Sequence, residues 1–375
     1  MSLKDYFELL FNDYTLRTIS IGTAVLGAIC GVLGSFAVLR KQSLLGDAIS
    51  HAALPGIAIA FLITGVKETN LLLIGALISG LIGASWIRGI TKRTHLKSDT
   101  ALGLILSVFF GFGMLLLSYI QKQPNANQSG LDTFLFGQAA TLLARDVWLM
   151  VGIALLCLLL VVFFWKEFKI FLFDAEYTKT LGFSTKLIDI LITSFIVLAI
   201  ILGLQTVGVV LMSAMLLAPA AAARQWTNSL GVMVGLAAVF GAVSGVLGTA
   251  ISASQNNLST GPVIVLVATI FVVFSFVFSP SRGLLFRQIR FVKNRNDLKL
   301  HKTLAFMFEI TKSHEQISHP HSIKILNNFH GYTRRSLSKL EDKDYIRVDG
   351  EMWSMTKQGY HFAANLYSQQ LDTDD

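Results

Sequence analysis

Two stretches of this sequence run without a single charged side chain, and they limit what the chain can become. Ile190 to Ala223 holds 34 such positions and Gln225 to Ser281 holds 57; a third run, Thr18 to Leu39, holds 22. One helical bilayer crossing takes about 20 apolar residues, and no soluble core helix needs so much uninterrupted lipophilicity. Composition agrees, because only 14% of residues are charged and the mean hydropathy is +0.61, against about 25% charge in a soluble domain. The expected fold class is therefore all-α, a polytopic membrane protein. Cys30 and Cys157 both lie in apolar runs and imply no disulfide framework. The opening "MSLKDYFELLFNDYTLR" lacks the basic-then-apolar order of a cleaved signal peptide and reads as a short amphipathic helix at the interface.

Nine spans are expected, near 18–39, 45–65, 71–90, 101–120, 147–165, 188–204, 206–223, 229–252 and 262–280. Eight is the alternative, because Ile190–Ala223 would measure about 51 Å as one helix. That is too long for one crossing and too short for two with a loop, and Gly203, Gly208 and Pro219 mark candidate breaks. Basic loops belong inside. "TKRTHLKSDT" (91–100) and "WKEFKIFLFDAEYTKTLGFSTK" (166–187) are rich in lysine, whereas the loop after the fourth span is polar and poor in cations. Nine crossings then place the N-terminus outside and the C-terminal tail in the cytoplasm. Glycine strings, Gly22, Gly27, Gly31, Gly34 and Gly235, Gly241, Gly245, Gly248, suit close helix packing in lipid.

The organisation read from composition is a membrane domain over 1–282, a basic juxtamembrane linker over 283–298 and a soluble cytoplasmic domain over 299–375. From Gly283 onward there are 14 Lys/Arg against 11 Asp/Glu. "KLHKTLAFMFEITKSH" and "PHSIKILNNFHG" read as short helices. "TRRSLSKLEDKDY" reads as a helix bearing Arg334, Arg335 and Lys339, "YIRVDGEMWSMT" as a hairpin turning at Asp349-Gly350, and "KQGYHFAANLYSQQ" as a closing helix. This small α+β, winged-helix-like pattern resembles the DNA-binding modules of metal-responsive repressors. Contact with nucleic acid or protein through the basic helix is one role; a cytoplasmic metal-sensing site is another, from the tail histidines His314, His319 and His321, set against scattered surface histidines.

Within the apolar second span, "LLGDAISHAALPG" (44–56) places Asp47 and His51 at i and i+4, on one helical face. An ionisable group inside the membrane is costly and is a functional site by default. Carboxylate plus imidazole suits divalent first-row metals such as manganese, iron and zinc. Capping by Asp47, or a proton relay, are the competing roles. Pro55 would disturb the helix and free backbone groups beside the pair.

The longer stretch "LRKQSLLGDAISHAALPGIAIAF" resembles the early signature of the integral permeases of ABC importers for manganese, zinc and iron. "SDTALGLILSVFFGFGMLLLS" (98–118), "LFGQ" (135–138), "VGVVLMSAMLLAPAAAAR" (207–224) and "TGPVIVL" (260–266) resemble its later blocks, in order, over roughly residues 15–282. The resemblance implies a bacterial cytoplasmic-membrane permease in which Asp47 and His51 contact the transported metal, with no permanently bound cofactor. It also implies that "FDAEYTKTLG" (173–182), with Asp174, Ala175, Glu176 and Gly182, docks on an ATPase subunit. Acids opening a short helix and a glycine ending it fit that role. The implied partners are a cytoplasmic ATP-binding subunit, an extracytoplasmic metal-binding protein, and a second permease copy or sister permease. No G-x-x-x-x-G-K-[ST] loop occurs, so the chain is expected not to be an enzyme and ATP hydrolysis to reside elsewhere. The rival functions are a permease for larger chelates such as siderophores or cobalamin, a proton-coupled secondary transporter, and a membrane-anchored transcription regulator.

Overall fold

A computed structural model describes residues 13–66, 68–122, 137, 142–254, 258–314, 317–328 and 334–371. Most of the expected N-terminal interfacial helix, most of the loop after the fourth span and most of "LFGQ" lie outside the described residues; the last four residues of that N-terminal stretch, Tyr14 to Arg17, instead open the first membrane helix. Nine helices among those described are long and apolar enough to cross a bilayer. They are α1 (Tyr14–Leu39), α2 (Leu45–Thr64), α3 (Thr69–Arg93), α4 (Ser98–Gln121), α5 (Ala144–Phe163), α8 (Thr185–Leu204), α9 (Val209–Trp226), α10 (Leu230–Ser254) and α11 (Thr260–Phe278). Two short helices, α6 (Trp165–Phe173) and α7 (Ala175–Thr180), stand between α5 and α8. The chain divides into two compact units, Met1–Gly283 and Leu284–Asp375.

The long run Ile190–Ala223 becomes two helices by reaching past its own ends. α8 starts at Thr185 and α9 runs to Trp226, taking in Asp189 and Arg224. Their 20 and 18 residues give about 30 and 27 Å of rise, enough for two crossings. The break falls at Gln205–Gly208, where Gly208 takes φ +87°, a left-handed value open to glycine. Gly203 and Pro219 do not interrupt: Gly203 is inside α8 against the Met212 side chain, and Pro219 is buried inside α9. Pro55 likewise lies within an unbroken α2, where packing from its neighbours offsets the lost hydrogen bond.

The glycine strings fix the packing. α1 lies along α10, with the Gly27 and Gly241 backbones in mutual contact and Gly31 against the Ala237 carbonyl. Across the same seam the Thr23 and Thr249 hydroxyls stand 3.0 Å apart. α2 packs on α3 and α4; Gly56 meets the Gly75 backbone, and Gly113 gives α4 its close approach to Leu54 and Pro55.

In the second unit, α12 (Leu284–Lys312) is followed by β1 (His321–Ser322), a 3-10 turn (Ile323–Asn328), α13 (Arg334–Asp342), β2 (Ile346–Asp349), β3 (Met352–Met355) and α14 (Lys357–Leu371). The antiparallel sheet runs β1-β3-β2, and Gly350 turns the β2–β3 hairpin at φ +63°. A small core of Leu304, Met307, Leu326, Leu340, Ile346, Trp353 and Met355 holds it. The stretch 320–331, expected as a helix, instead opens as β1, because pairing with β3 (His321 opposite Trp353) and the Ile323 N–H bond to the Glu351 carbonyl override its local pattern.

Candidate functional site

Asp47 and His51 project from the first two turns of α2. Leu44 is the N-cap and supplies no side-chain bond, so Asp47, three residues in, does not cap the helix. Its carboxylate instead faces His51, with Oδ1 3.4 Å from Nε2. The His51 side chain is 14% exposed and that of Asp47 33%, so the imidazole is sheltered while the carboxylate opens outward. The His51 ring makes a T-shaped contact with Phe110 of α4, centroids 4.8 Å apart at 76°. His51 Nδ1 is buried without a hydrogen-bond partner among the described residues. Pro55 lacks the N–H that would ordinarily bond the carbonyl four residues before it, and that carbonyl belongs to His51. Next to it, the Ala52 carbonyl accepts the Ser79 hydroxyl at 2.6 Å.

The pair is chemically unsaturated. A 3.4 Å separation is longer than the 2.7–2.9 Å of a strong charge-assisted bond, and free lone pairs remain on both groups. Among the described residues no third ligating side chain completes a cluster around them. One carboxylate and one imidazole are half the donor set of a four-coordinate ion.

A second polar feature was not foreseen from the sequence. Asp189 of α8 accepts hydrogen bonds from Arg40, at the end of α1, and from Arg88 of α3, the latter at 2.7 Å. Arg40 also donates to Thr193 at 3.2 Å. This network ties three membrane helices together at one end of the bundle. Beside it lies a cavity of about 320 Å³ lined by Arg40, Arg88, Lys92, Ala175 and Asp189 among others. The available signal was positional: Arg40 and Asp189 each border a charge-free run, and Arg88 stands alone between Glu68 and Lys92.

Asp174 is the N-cap of α7, its Oδ1 accepting the Tyr177 N–H at 2.8 Å. Ala175 and Glu176 form the exposed first turn. Gly182, at φ +85°, bonds its N–H to the Lys179 carbonyl and ends the element. Tyr177 and, in the turn that follows α7, Leu181 and Phe183 are also exposed, so α7 and this turn present an apolar-and-acidic knob beside the cavity.

In the second unit the structure brings His314, His319 and His321 together, with ring centroids 4.7–5.2 Å apart. Burial, and after it the neighbouring imidazoles of His314 and His319, push the His321 pKa below the usual histidine value. Arg334 and Arg335 belong to α13, but their side chains lie outside the described residues; Lys339 is exposed on the same helix.

Residues 12–279 match the ABC 3 transport family. Over 278 residues the chain is 52% identical to the zinc transport system membrane protein TroC of Treponema pallidum, covering 74% of this chain and 93% of that one. It is 42% identical over 348 residues to the manganese transport system membrane protein MntC of Bacillus subtilis, covering 91% of this chain and 80% of that protein. An alignment of that length extends beyond the first unit, which ends at Gly283. Among solved structures, PsaBC from Streptococcus pneumoniae in complex with Fab aligns at TM-score 0.67 and 33% identity, over 76% of this chain and all of that one.

Proposed function

The chain belongs to the ABC 3 transport family, and on that premise we propose that it is the membrane-spanning permease subunit of an ATP-driven importer for a divalent transition metal. Manganese, zinc and iron all suit a carboxylate–imidazole donor pair. The observation that carries this reading is the sheltered, unsaturated Asp47–His51 pair on α2, 3.4 Å apart. The ion is the cargo: it displaces the weak contact between the two side chains and takes Asp47 Oδ1 and His51 Nε2 as ligands. A second permease copy or a sister permease supplies the rest of the coordination sphere.

Driving force comes from outside the chain, which carries no phosphate-binding loop. A separate ATP-binding subunit docks on α7, where Asp174 sets the helix start and Tyr177, Leu181 and Phe183 offer apolar contact. An extracytoplasmic binding protein delivers the ion. The lysine- and arginine-rich loops support a cytoplasmic side for α7 and for the second unit in a bacterial cytoplasmic membrane. The second unit is read as a winged helix, supported by a three-stranded antiparallel sheet and the β2–β3 hairpin, and its role is regulatory.

The test is metal uptake into vesicles carrying the permease, its ATPase subunit and its binding protein. Asp47→Ala and His51→Ala should each lower uptake at least tenfold while the ATPase subunit still copurifies. Normal uptake by both variants would overturn the site.

A further inference from the structure

The end of α12 and the start of β1 carry three imidazoles that nothing in the transport path uses. His314 stands two residues past the end of α12, His319 precedes the sheet, and His321 is the first residue of β1. Their ring centroids are separated by 4.7 Å (314–319), 4.8 Å (314–321) and 5.2 Å (319–321). With metal–nitrogen distances of about 2.0–2.1 Å and tetrahedral angles, imidazole rings on one ion have centres roughly 5 Å apart. The three rings already stand at that spacing.

Two further facts concern the nitrogens. The Nδ1 of His314 lies 3.1 Å from the Ile310 carbonyl. The Ser313 hydroxyl stands 3.1 Å from the same nitrogen and bonds the Ile310 carbonyl at 2.7 Å; the tautomer that donates from Nδ1 to that carbonyl leaves Nε2 as a bare lone pair. Such a backbone bond to the remote nitrogen is the usual means of fixing a metal-binding tautomer. His321 is 6% exposed, packed on Trp353 with centroids 4.8 Å apart, and its Nε2 is buried with no hydrogen-bond partner among the described residues. An orphaned buried nitrogen is costly, and a ligand there would remove that cost.

We propose that His314, His319 and His321 form a three-imidazole site for a late first-row divalent cation of the zinc class, joining α12 to β1. As placed, the donor atoms do not yet converge on a common point. His314 and His319 are exposed; turning their rings about the Cβ–Cγ bond, which leaves the ring centres in place, closes the site on the fixed His321, with water as the fourth ligand. Nitrogen donors alone favour cobalt, nickel, copper and zinc over manganese, which prefers oxygen. The site therefore selects differently from the Asp47–His51 pair and stands independently of it. A bound ion would clamp the helix end to the sheet, giving the second unit a metal-dependent stability.

The experiment uses the full chain in detergent, with Asp47→Asn and His51→Gln present to silence the cargo path, titrated with Co²⁺ as a spectroscopic probe. The expected result is one equivalent of Co²⁺ with the strong visible absorption of four-coordinate cobalt, displaced by Zn²⁺ and not by Mn²⁺. Adding His314→Gln and His319→Gln, both exposed and away from the core, should weaken Co²⁺ binding at least tenfold. Because these exposed positions do not support the fold, His319→Gln alone, with the same folded elution profile, gives a second reading. Absence of the cobalt spectrum in the silenced chain, or its persistence after both substitutions, would overturn the site whatever the outcome of the uptake assay.

Discussion

Replacing Asp189 with asparagine tests how the membrane unit tolerates charge at the ends of its helices. Asp189 is the anion shared by Arg40 and Arg88, and the three side chains are only 17%, 13% and 20% exposed. Asparagine keeps the volume and loses the charge, leaving two guanidiniums facing each other across a neutral amide. Breaking a buried ion pair from one side costs about 3–5 kcal/mol. The adjacent cavity lets water reach the orphaned cations, so the lower end applies, about 3 kcal/mol. At roughly 2–4 °C per kcal/mol for a unit of this size, melting should fall by about 6–12 °C.

The assay is thermal unfolding of the detergent-solubilised chain, followed by tryptophan fluorescence. Arg40→Gln and Arg88→Gln each leave one ion pair standing, so each should cost less than Asp189→Asn. Combining Asp189→Asn with Arg88→Gln removes the like-charge apposition and should recover a substantial part of the loss. An Asp189→Asn chain that melts with the wild type would refute the reasoning. So would a double variant less stable than the sum of its parts.

Two other outcomes follow from local geometry. Gly241→Leu drives a side chain into the Gly27 backbone and should abolish a monodisperse peak in size-exclusion chromatography, whereas Gly152→Leu, with open space around it, should leave the peak unchanged. Asp174→Ala removes the N-cap of α7, at about 1 kcal/mol, and should reduce copurification of the ATPase subunit; Asp174→Asn, which still caps, should restore it.

How far the sequence could be read depended on whether a feature was local. The Asp47–His51 pair was legible because i, i+4 spacing is a property of one helix. The Phe110 contact with His51 was not, since no period relates a residue of α4 to one of α2. The glycine strings announced close packing, but not that Gly27 would meet Gly241 and Gly31 would meet Ala237. In the second unit, His319-Pro320-His321 could be seen in the sequence, yet His314 joins them only through the fold of the connection. β1, two residues long, is too short for any alternation to reveal it.

The run Ile190–Ala223, which folds as two crossings, bears on membrane chains generally. Charge-free length marks where lipid would reject an unpaired charge; it does not mark where a helix must stop. α8 begins five residues before the run because Asp189, costly alone, meets Arg40 and Arg88 on neighbouring helices. The run therefore undercounts the helix at any end where a charge finds a tertiary partner. By the same argument, Asp47 and His51 differ from Asp189: they are also ionisable and within a span, but their mutual contact leaves both short of full coordination. Asp189 is saturated and holds helices together. The α2 pair is left unsaturated, which is the condition a passing ion requires.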